Sequence, residues 1–201
     1  MPVELWFPVP FLVHDIEPEV RDAIRAKVHA YLETEGAKRD VTLAPSESVT
    51  TSYYRPQASI LADAKLVELE DIIMQAANGF LATMQLPPRR LEVERAWINV
   101  FTPGSQEAMH SHDGSLISCS YYVEAPENCG NIAFPDPIGA RRSYREFTQT
   151  AGDNFLTLRE MTFEPKPGRI VMFESWVPHA VNCNKSDKNR ISIAVNLRQA
   201  R

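Results

Sequence analysis

Cysteine and glycine are both scarce in this chain of 201 residues. The three cysteines, Cys119, Cys129 and Cys183, are an odd number without CxxC spacing. They favour free thiols in a reducing compartment such as the cytoplasm over a disulfide framework. Glycine (8 residues) is outnumbered by proline (15 residues), while 44% of the residues are hydrophobic. This composition excludes collagen-like and disordered chains and predicts a single globular domain over residues 1–201.

The chain also lacks an excess of positive charge and long apolar runs. There are 21 Lys and Arg residues against 26 Asp and Glu residues, a formal net charge of −5. Nucleic acids and anionic membranes bind clustered positive charge, so neither is an expected partner. The early apolar run, residues 5–13, is interrupted by Pro8 and Pro10 and follows Glu4, so neither a signal peptide nor a membrane helix is expected. We expect a small-molecule substrate as partner, and formation of a homodimer stays open.

Two helical patterns precede a β-rich half. Apolar residues recur at helical spacing over residues 18–33, and a second helix is predicted over about residues 61–84, before Pro87 and Pro88. From residue 91 onward, short β-rich runs alternate with turn-forming segments. These runs span residues 91–101, 116–123, 130–134, 169–173 and 191–197. The sequence therefore predicts a mainly β fold with N-terminal helices. Residues 1–90 would supply a strand and supporting helices, and residues 91–201 an antiparallel barrel or jelly roll.

Three of the five histidines, His110, His112 and His179, fall in the β-rich half. In an extended segment, residues i and i+2 project to the same face, so His110 and His112 could reach one metal ion. His179 follows the run 169–173 and could approach from a neighbouring strand. An isolated HxH pair is more often an ordinary pair of histidines, and imidazole alone does not choose among Fe, Zn, Cu and Ni. Three facial ligands would leave open positions for other molecules.

Arg190 and Ser192, which follow the histidines in the sequence, are candidate ligands for a carboxylate. They stand two apart in the last β-rich run, so they share a face of that strand. A guanidinium fork beside a hydroxyl suits one carboxylate. A lone strand arginine is more often a surface residue, but this one follows a candidate ligand histidine by eleven positions. The pair therefore predicts an anchor for a diacid whose other end would chelate the metal.

Four ordered motifs carry a family resemblance. They are MHSHDGSLISCSYYV (residues 109–123), GNIAF (130–134), PGRIVMFESWVPH (167–179) and NRISI (189–193). In this order and spacing they resemble the 2-oxoglutarate and Fe(II)-dependent oxygenases. The likeness is greatest to a bacterial and phage family that carries HxH, FxSWxxH and RISI segments. It covers residues 91–198, whereas the opening helices match only in layout.

The resemblance implies a double-stranded β-helix, a cupin-like barrel, with Fe(II) held by His110, His112 and His179. It also implies that 2-oxoglutarate binds through Arg190 and Ser192. The enzyme would then be a dioxygenase that converts 2-oxoglutarate to succinate and CO2 while it hydroxylates a substrate. Two further residues are weaker additions to the cosubstrate site, since core packing and a strand hydrogen bond explain them equally well; they are Tyr122 and Asn99.

One position departs from the wider superfamily, which uses H-x-D/E. Here His112 stands where the carboxylate is usual, and Asp113 comes one residue later. An all-histidine triad is the prediction, because Asp113 would point away from an extended segment. The alternative, Asp113 as a ligand, requires a kink at Gly114.

Two other functions stay open. A cupin-type metalloenzyme that does not use 2-oxoglutarate fits Gly104 and the HxH pair, but it lacks the expected glutamate ligand at residues 116–117 and gives Arg190 no role. A non-catalytic binding protein on the same barrel is the other alternative. The long segment 136–164 contains Arg141, Arg142 and Arg145, which could recognise an anionic substrate or simply be solvated.

Overall fold

A computed structural model describes residues 8–44, 49–55, 58–137 and 158–200. Its helices are α1 (Pro18–Leu32), α2 (Glu35–Asp40), α3 (Ile60–Asp63) and α4 (Val67–Thr83). Its strands are β1 (Phe11–Asp15), β2 (Thr42–Leu43), β3 (Val49–Thr51), β4 (Leu91–Phe101), β5 (Glu107–His110), β6 (Ile117–Glu124), β7 (Ile132–Pro135), β8 (Glu160–Phe163), β9 (Arg169–Glu174), β10 (His179–Val181) and β11 (Arg190–Gln199). In this part of the chain, no helix is both long and apolar enough to cross a membrane.

The strands form two antiparallel sheets. The larger sheet has seven strands in the order β1-β9-β6-β11-β4-β3-β2, and the smaller sheet has four in the order β5-β10-β7-β8. At one edge of the larger sheet β1 pairs with β9, and Asp15 lies opposite Arg169. The two side chains make a two-pronged ion pair, with Nε to Oδ1 at 2.7 Å and Nη2 to Oδ2 at 2.8 Å. The prediction of a mainly β fold with N-terminal helices is confirmed.

The larger sheet buries apolar side chains on both faces, and strand alternation decides which residue goes where. On β6, Tyr121 belongs to the cluster formed with α1 and α4, whereas Tyr122 belongs to a second cluster with Phe134 and Phe173. On β11, Ile191 and Ile193 pack in the helix-side cluster. Arg190 and Ser192, one position out of phase, therefore face the space between the two sheets.

The first predicted helix is confirmed as α1, which begins at Pro18 and ends at Leu32. The second prediction, one helix over residues 61–84, is wrong: the structure has the short α3 and then α4. The break lies at Lys65, whose φ is +52°, while the Leu66 N–H donates to the Leu61 carbonyl at 2.7 Å. No proline or glycine marks this break, so helical periodicity alone could not locate it.

The candidate metal centre and its cavities

His110 and His179 face each other across two paired strands. His110 ends β5, His179 begins β10, and the two are direct register partners whose ring centroids lie 4.3 Å apart. The Nδ1 of His110 lies 2.9 Å from the Ala108 carbonyl, and the Nδ1 of His179 lies 3.0 Å from the Val177 carbonyl. Because a carbonyl oxygen only accepts, each Nδ1 must carry the proton. In the neutral form of each ring, the Nε2 lone pair is therefore left for a metal ion.

His112 joins them from outside any strand. It lies beyond the end of β5, in a turn that includes Gly114 at φ +101°. The expectation that one extended strand carries both histidines of the HxH pair is therefore met by His110 but not by His112. Its backbone N–H donates to the Ser175 carbonyl at 2.9 Å. The ring centroid of His112 is 5.0 Å from that of His110 and 5.1 Å from that of His179. The structure thus brings together all three histidines, whose ligand nitrogens lie within 4.8 Å of one another.

Burial keeps two of these rings uncharged. Burial, with a smaller contribution from the neighbouring His110, lowers the pKa of His112 to about 4. Burial lowers the pKa of His179 to about 3, again with a contribution from His110. Neutral imidazole is the form that binds a metal ion, so no proton has to be displaced from these two rings at neutral pH.

The donor set fits a divalent transition metal. Three imidazole nitrogens from one cluster suit Fe(II), as they do other first-row ions. Asp113 is exposed and accepts a hydrogen bond from the Ser111 hydroxyl at 3.0 Å. Its carboxylate is not part of the cluster of ligand atoms found among the described residues. Another acidic side chain, Glu107, lies near the histidines, with its Oε1 4.0 Å from the His110 Nε2.

An inner cavity between the sheets is lined by every residue that the sequence predicted for the metal and cosubstrate sites. Its lining includes the three histidines together with Arg190, Ser192, Tyr122 and Asn99. Tyr122 is 1% exposed and packs in the inter-sheet cluster, and burial raises the pKa of its hydroxyl to about 12. Asn99 is the register partner of Ser192 on the neighbouring strand.

Among the described residues, Arg190 is the largest side chain that is buried almost completely, at 2% exposure. Its guanidinium carbon lies 3.9 Å from the centre of the Phe101 ring, and its Nη1 donates to the Gly130 carbonyl at 3.0 Å. Within the described part of the chain, its Nε has no hydrogen-bond partner. Burial lowers the Arg190 pKa, although a guanidinium stays protonated in a protein. A buried positive charge with an unused donor, beside the Ser192 hydroxyl, is a fitting counterpart for a carboxylate.

Sequence reasoning missed several supports of this site. Gly130 has φ +86°, and a Cβ there would lie 2.0 Å from the Asn182 carbonyl oxygen, so no other residue fits at the position that orients Arg190. Beneath the histidines, the Ser118 hydroxyl lies 2.8 Å from that of Ser175 and donates to Asn196 Oδ1 at 2.9 Å. Neither contact has a local sequence signal, because each joins residues more than fifty positions apart.

Most of the segment 136–164, for which the sequence suggested recognition of an anionic substrate, lies outside the described residues. Arg141, Arg142 and Arg145 lie outside the described residues. The described end of this segment includes β8, which pairs with β7.

A family model described as "Putative 2OG-Fe(II) oxygenase" matches residues 95–196. The matched stretch contains all seven site residues named above. None of the curated proteins matches the chain significantly.

Solved structures of low sequence identity share the fold. A prolyl-4-hydroxylase from Pseudomonas putida is 16% identical, with a TM-score of 0.61, over 96% of this chain and 94% of that one. An oxidoreductase of the 2OG-Fe(II) oxygenase family from Burkholderia pseudomallei is 14% identical, with a TM-score of 0.62, over 94% and 84% of the two chains. HygX from Streptomyces hygroscopicus, solved with nickel, 2-oxoglutarate and hygromycin B, is 12% identical, with a TM-score of 0.62, over 96% and 84%. These likenesses confirm the predicted double-stranded β-helix.

Proposed function

The chain belongs to the family of 2OG-Fe(II) oxygenases, and from this premise we propose that it is a 2-oxoglutarate and Fe(II)-dependent dioxygenase. It hydroxylates a small-molecule substrate and releases succinate and CO2. The observation that carries the proposal is Arg190, a buried cation with an unpartnered Nε in the same cavity as three converging histidines.

His110, His112 and His179 would hold the iron. The carbonyls of Ala108 and Val177 fix two of the rings with Nε2 free, so the protein orients these ligands before the metal arrives. When bound, Fe(II) supplies the oxidising chemistry, which couples decarboxylation of 2-oxoglutarate by O2 to oxidation of a substrate C–H bond. Since the three imidazoles bring no negative charge, the ion would keep its full charge until an anion binds beside it.

Arg190 and Ser192 would bind the distal carboxylate of 2-oxoglutarate. Both side chains are buried, at 2% and 4% exposure, so this charge pair would be shielded from water. The Gly130 carbonyl and the Phe101 ring hold the guanidinium in place. Tyr122 and Asn99 line the same cavity and would limit its width and polarity.

The buried cation also separates this function from a cupin-type metalloenzyme without 2-oxoglutarate. Such an enzyme would need the histidines but would have no anion to place on Arg190. Leaving a buried guanidinium donor without a partner costs stability. Its presence in the cavity therefore favours an enzyme with an anionic cosubstrate.

The test is iron-dependent conversion of 2-oxoglutarate to succinate by the purified chain, with O2 and ascorbate supplied. We expect succinate in the parent and none when iron is omitted or in His179→Ala. Trp176→Ala, a change at a half-exposed side chain that does not line the inner cavity, should behave like the parent. Calorimetry of 2-oxoglutarate with the Mn(II)-loaded protein measures binding without turnover. A parent that neither binds nor consumes 2-oxoglutarate refutes the proposal, whereas binding without consumption favours the non-catalytic alternative.

A further inference from the structure

A second cavity adjoins the first and is more open. Its volume is about 290 Å³, close to the lower end of the range for small-molecule sites, about 300 to 1,000 Å³. The two cavities share five lining residues, namely Trp97, Asn99, Glu107, His110 and His112. Arg190 and Ser192 line the inner cavity alone. A molecule in this outer cavity would therefore reach the histidines without competing for the cosubstrate anchor.

Aromatic rings form one wall of the outer cavity. Tyr54, Tyr53, Trp97 and His112 make a continuous edge-to-face series with centroid distances of 5.3, 5.2 and 5.6 Å. Tyr54 is 49% exposed, whereas Trp97 is 5% exposed. The series therefore runs from solvent down to a candidate metal ligand, and Met109, 55% exposed, adds apolar surface at the mouth.

The described lining of the outer cavity offers no counter-charge to an anion. Among the described residues that line it there is no Lys or Arg, and the acidic side chain Glu107 is part of its wall. Arg95 is not among the described lining residues, and its guanidinium is engaged by Tyr53: it lies 4.1 Å from the centre of the Tyr53 ring and donates to the Tyr53 carbonyl. An anionic ligand would lose its hydration here without gaining an ion pair from the described lining residues.

We propose that the outer cavity is the substrate site and that it takes an uncharged, planar aromatic group packed against Tyr53 and Tyr54. Such a group would bury apolar area and extend the edge-to-face series toward His112. The assignment rests on the proposed function, since it names the substrate class of that same site.

The experiment measures binding of 2-naphthol, an uncharged planar probe, and of 2-naphthoate, its anionic counterpart, by calorimetry with the metal-free protein. We expect 2-naphthol to bind once per chain and to bind at least about tenfold more tightly than 2-naphthoate, a difference of about 1.4 kcal/mol. Tyr54→Ala should weaken 2-naphthol binding by about tenfold, because it removes one wall of the packing surface. Tyr54→Phe, which keeps the ring, and Trp176→Ala, which removes an equally exposed aromatic side chain outside the cavity, should bind 2-naphthol as the parent does.

The same samples are titrated with 2-oxoglutarate after loading with Mn(II). Equal binding of 2-naphthol by Tyr54→Ala and the parent, or tighter binding of 2-naphthoate, overturns the substrate assignment. Displacement of 2-naphthol by 2-oxoglutarate would also overturn it, because the two would then share one cavity. If the parent does not bind 2-oxoglutarate, that result counts against the dioxygenase proposal and leaves the 2-naphthol result unaffected.

Discussion

Replacing Arg190 with alanine should abolish the cosubstrate site while sparing the metal site. The guanidinium is 2% exposed, its Nη1 is held by Gly130, and its Nε is unpartnered. A carboxylate bound there is desolvated, and in the variant it loses this buried cation. Breaking a buried ion pair costs about 3 to 5 kcal/mol. This corresponds to roughly a hundred- to several-thousand-fold weaker 2-oxoglutarate binding at about 1.4 kcal/mol per factor of ten.

The assay compares 2-oxoglutarate affinity, metal content and thermal unfolding in the same preparations. Arg190→Lys keeps the charge but loses the planar fork, so it should fold well and bind 2-oxoglutarate with intermediate affinity. Arg198→Ala is the matched control on the same strand, because Arg198 is 43% exposed and pairs with Glu92 at 2.7 Å. An exposed pair of this kind contributes about 0 to 1 kcal/mol to stability, and its loss should leave 2-oxoglutarate affinity unchanged.

Two results would refute this reasoning. One is Arg190→Ala protein that is folded, binds metal and holds 2-oxoglutarate as tightly as the parent. The other is equal loss of 2-oxoglutarate affinity in Arg190→Ala and Arg198→Ala, which would indicate a general charge effect rather than a specific anchor.

Three further predictions follow from the site and its surroundings. His179→Ala should lose bound Fe(II), measured by metal analysis after dialysis, whereas Asp113→Ala should retain it; the reverse pattern would make Asp113 the ligand. Gly130→Ala should destabilise the fold by about 1 to 3 kcal/mol through overpacking, in addition to the cost of its positive φ. The control is Gly114→Ala, since Gly114 also has a positive φ but has open space around it. Denaturant unfolding measures both variants. Asp15→Asn should cost up to about 1 kcal/mol at neutral pH. Its arginine partner lowers the folded-state pKa of Asp15, so the contribution is present above the ordinary Asp pKa of about 3.9 and is lost as the pH falls below it; a difference between the two proteins that grows on acidification would contradict this.

The parts of the fold that follow local periodicity could be predicted from the sequence. The alternation in Arg190-Ile191-Ser192-Ile193 indicates that the two polar side chains share a face, and in the structure both line the inner cavity. The helix α1 begins at Pro18, where its pattern starts. These features depend on residues a few positions apart, which is the range that a sequence pattern reports.

Features fixed by distant contacts could not be predicted in the same way. His112 reaches the cluster because its N–H is held by the Ser175 carbonyl, across 63 positions of the chain. The strands β5 and β10 are only four and three residues long, too short to give an alternating pattern. The outer cavity depends on Tyr53 and Trp97, which come together through the pairing of β3 with β4.

Ser175 holds together the segments that carry the candidate metal ligands. Its carbonyl accepts from the His112 N–H at 2.9 Å, its own N–H donates to the Leu116 carbonyl at 3.2 Å, and its hydroxyl contacts that of Ser118. It also lies four residues before His179, so one buried residue ties together the backbone segments of two candidate ligands. We therefore expect a divalent ion to bind without prior folding of these two segments, so that one such ion could be exchanged for another in the native protein.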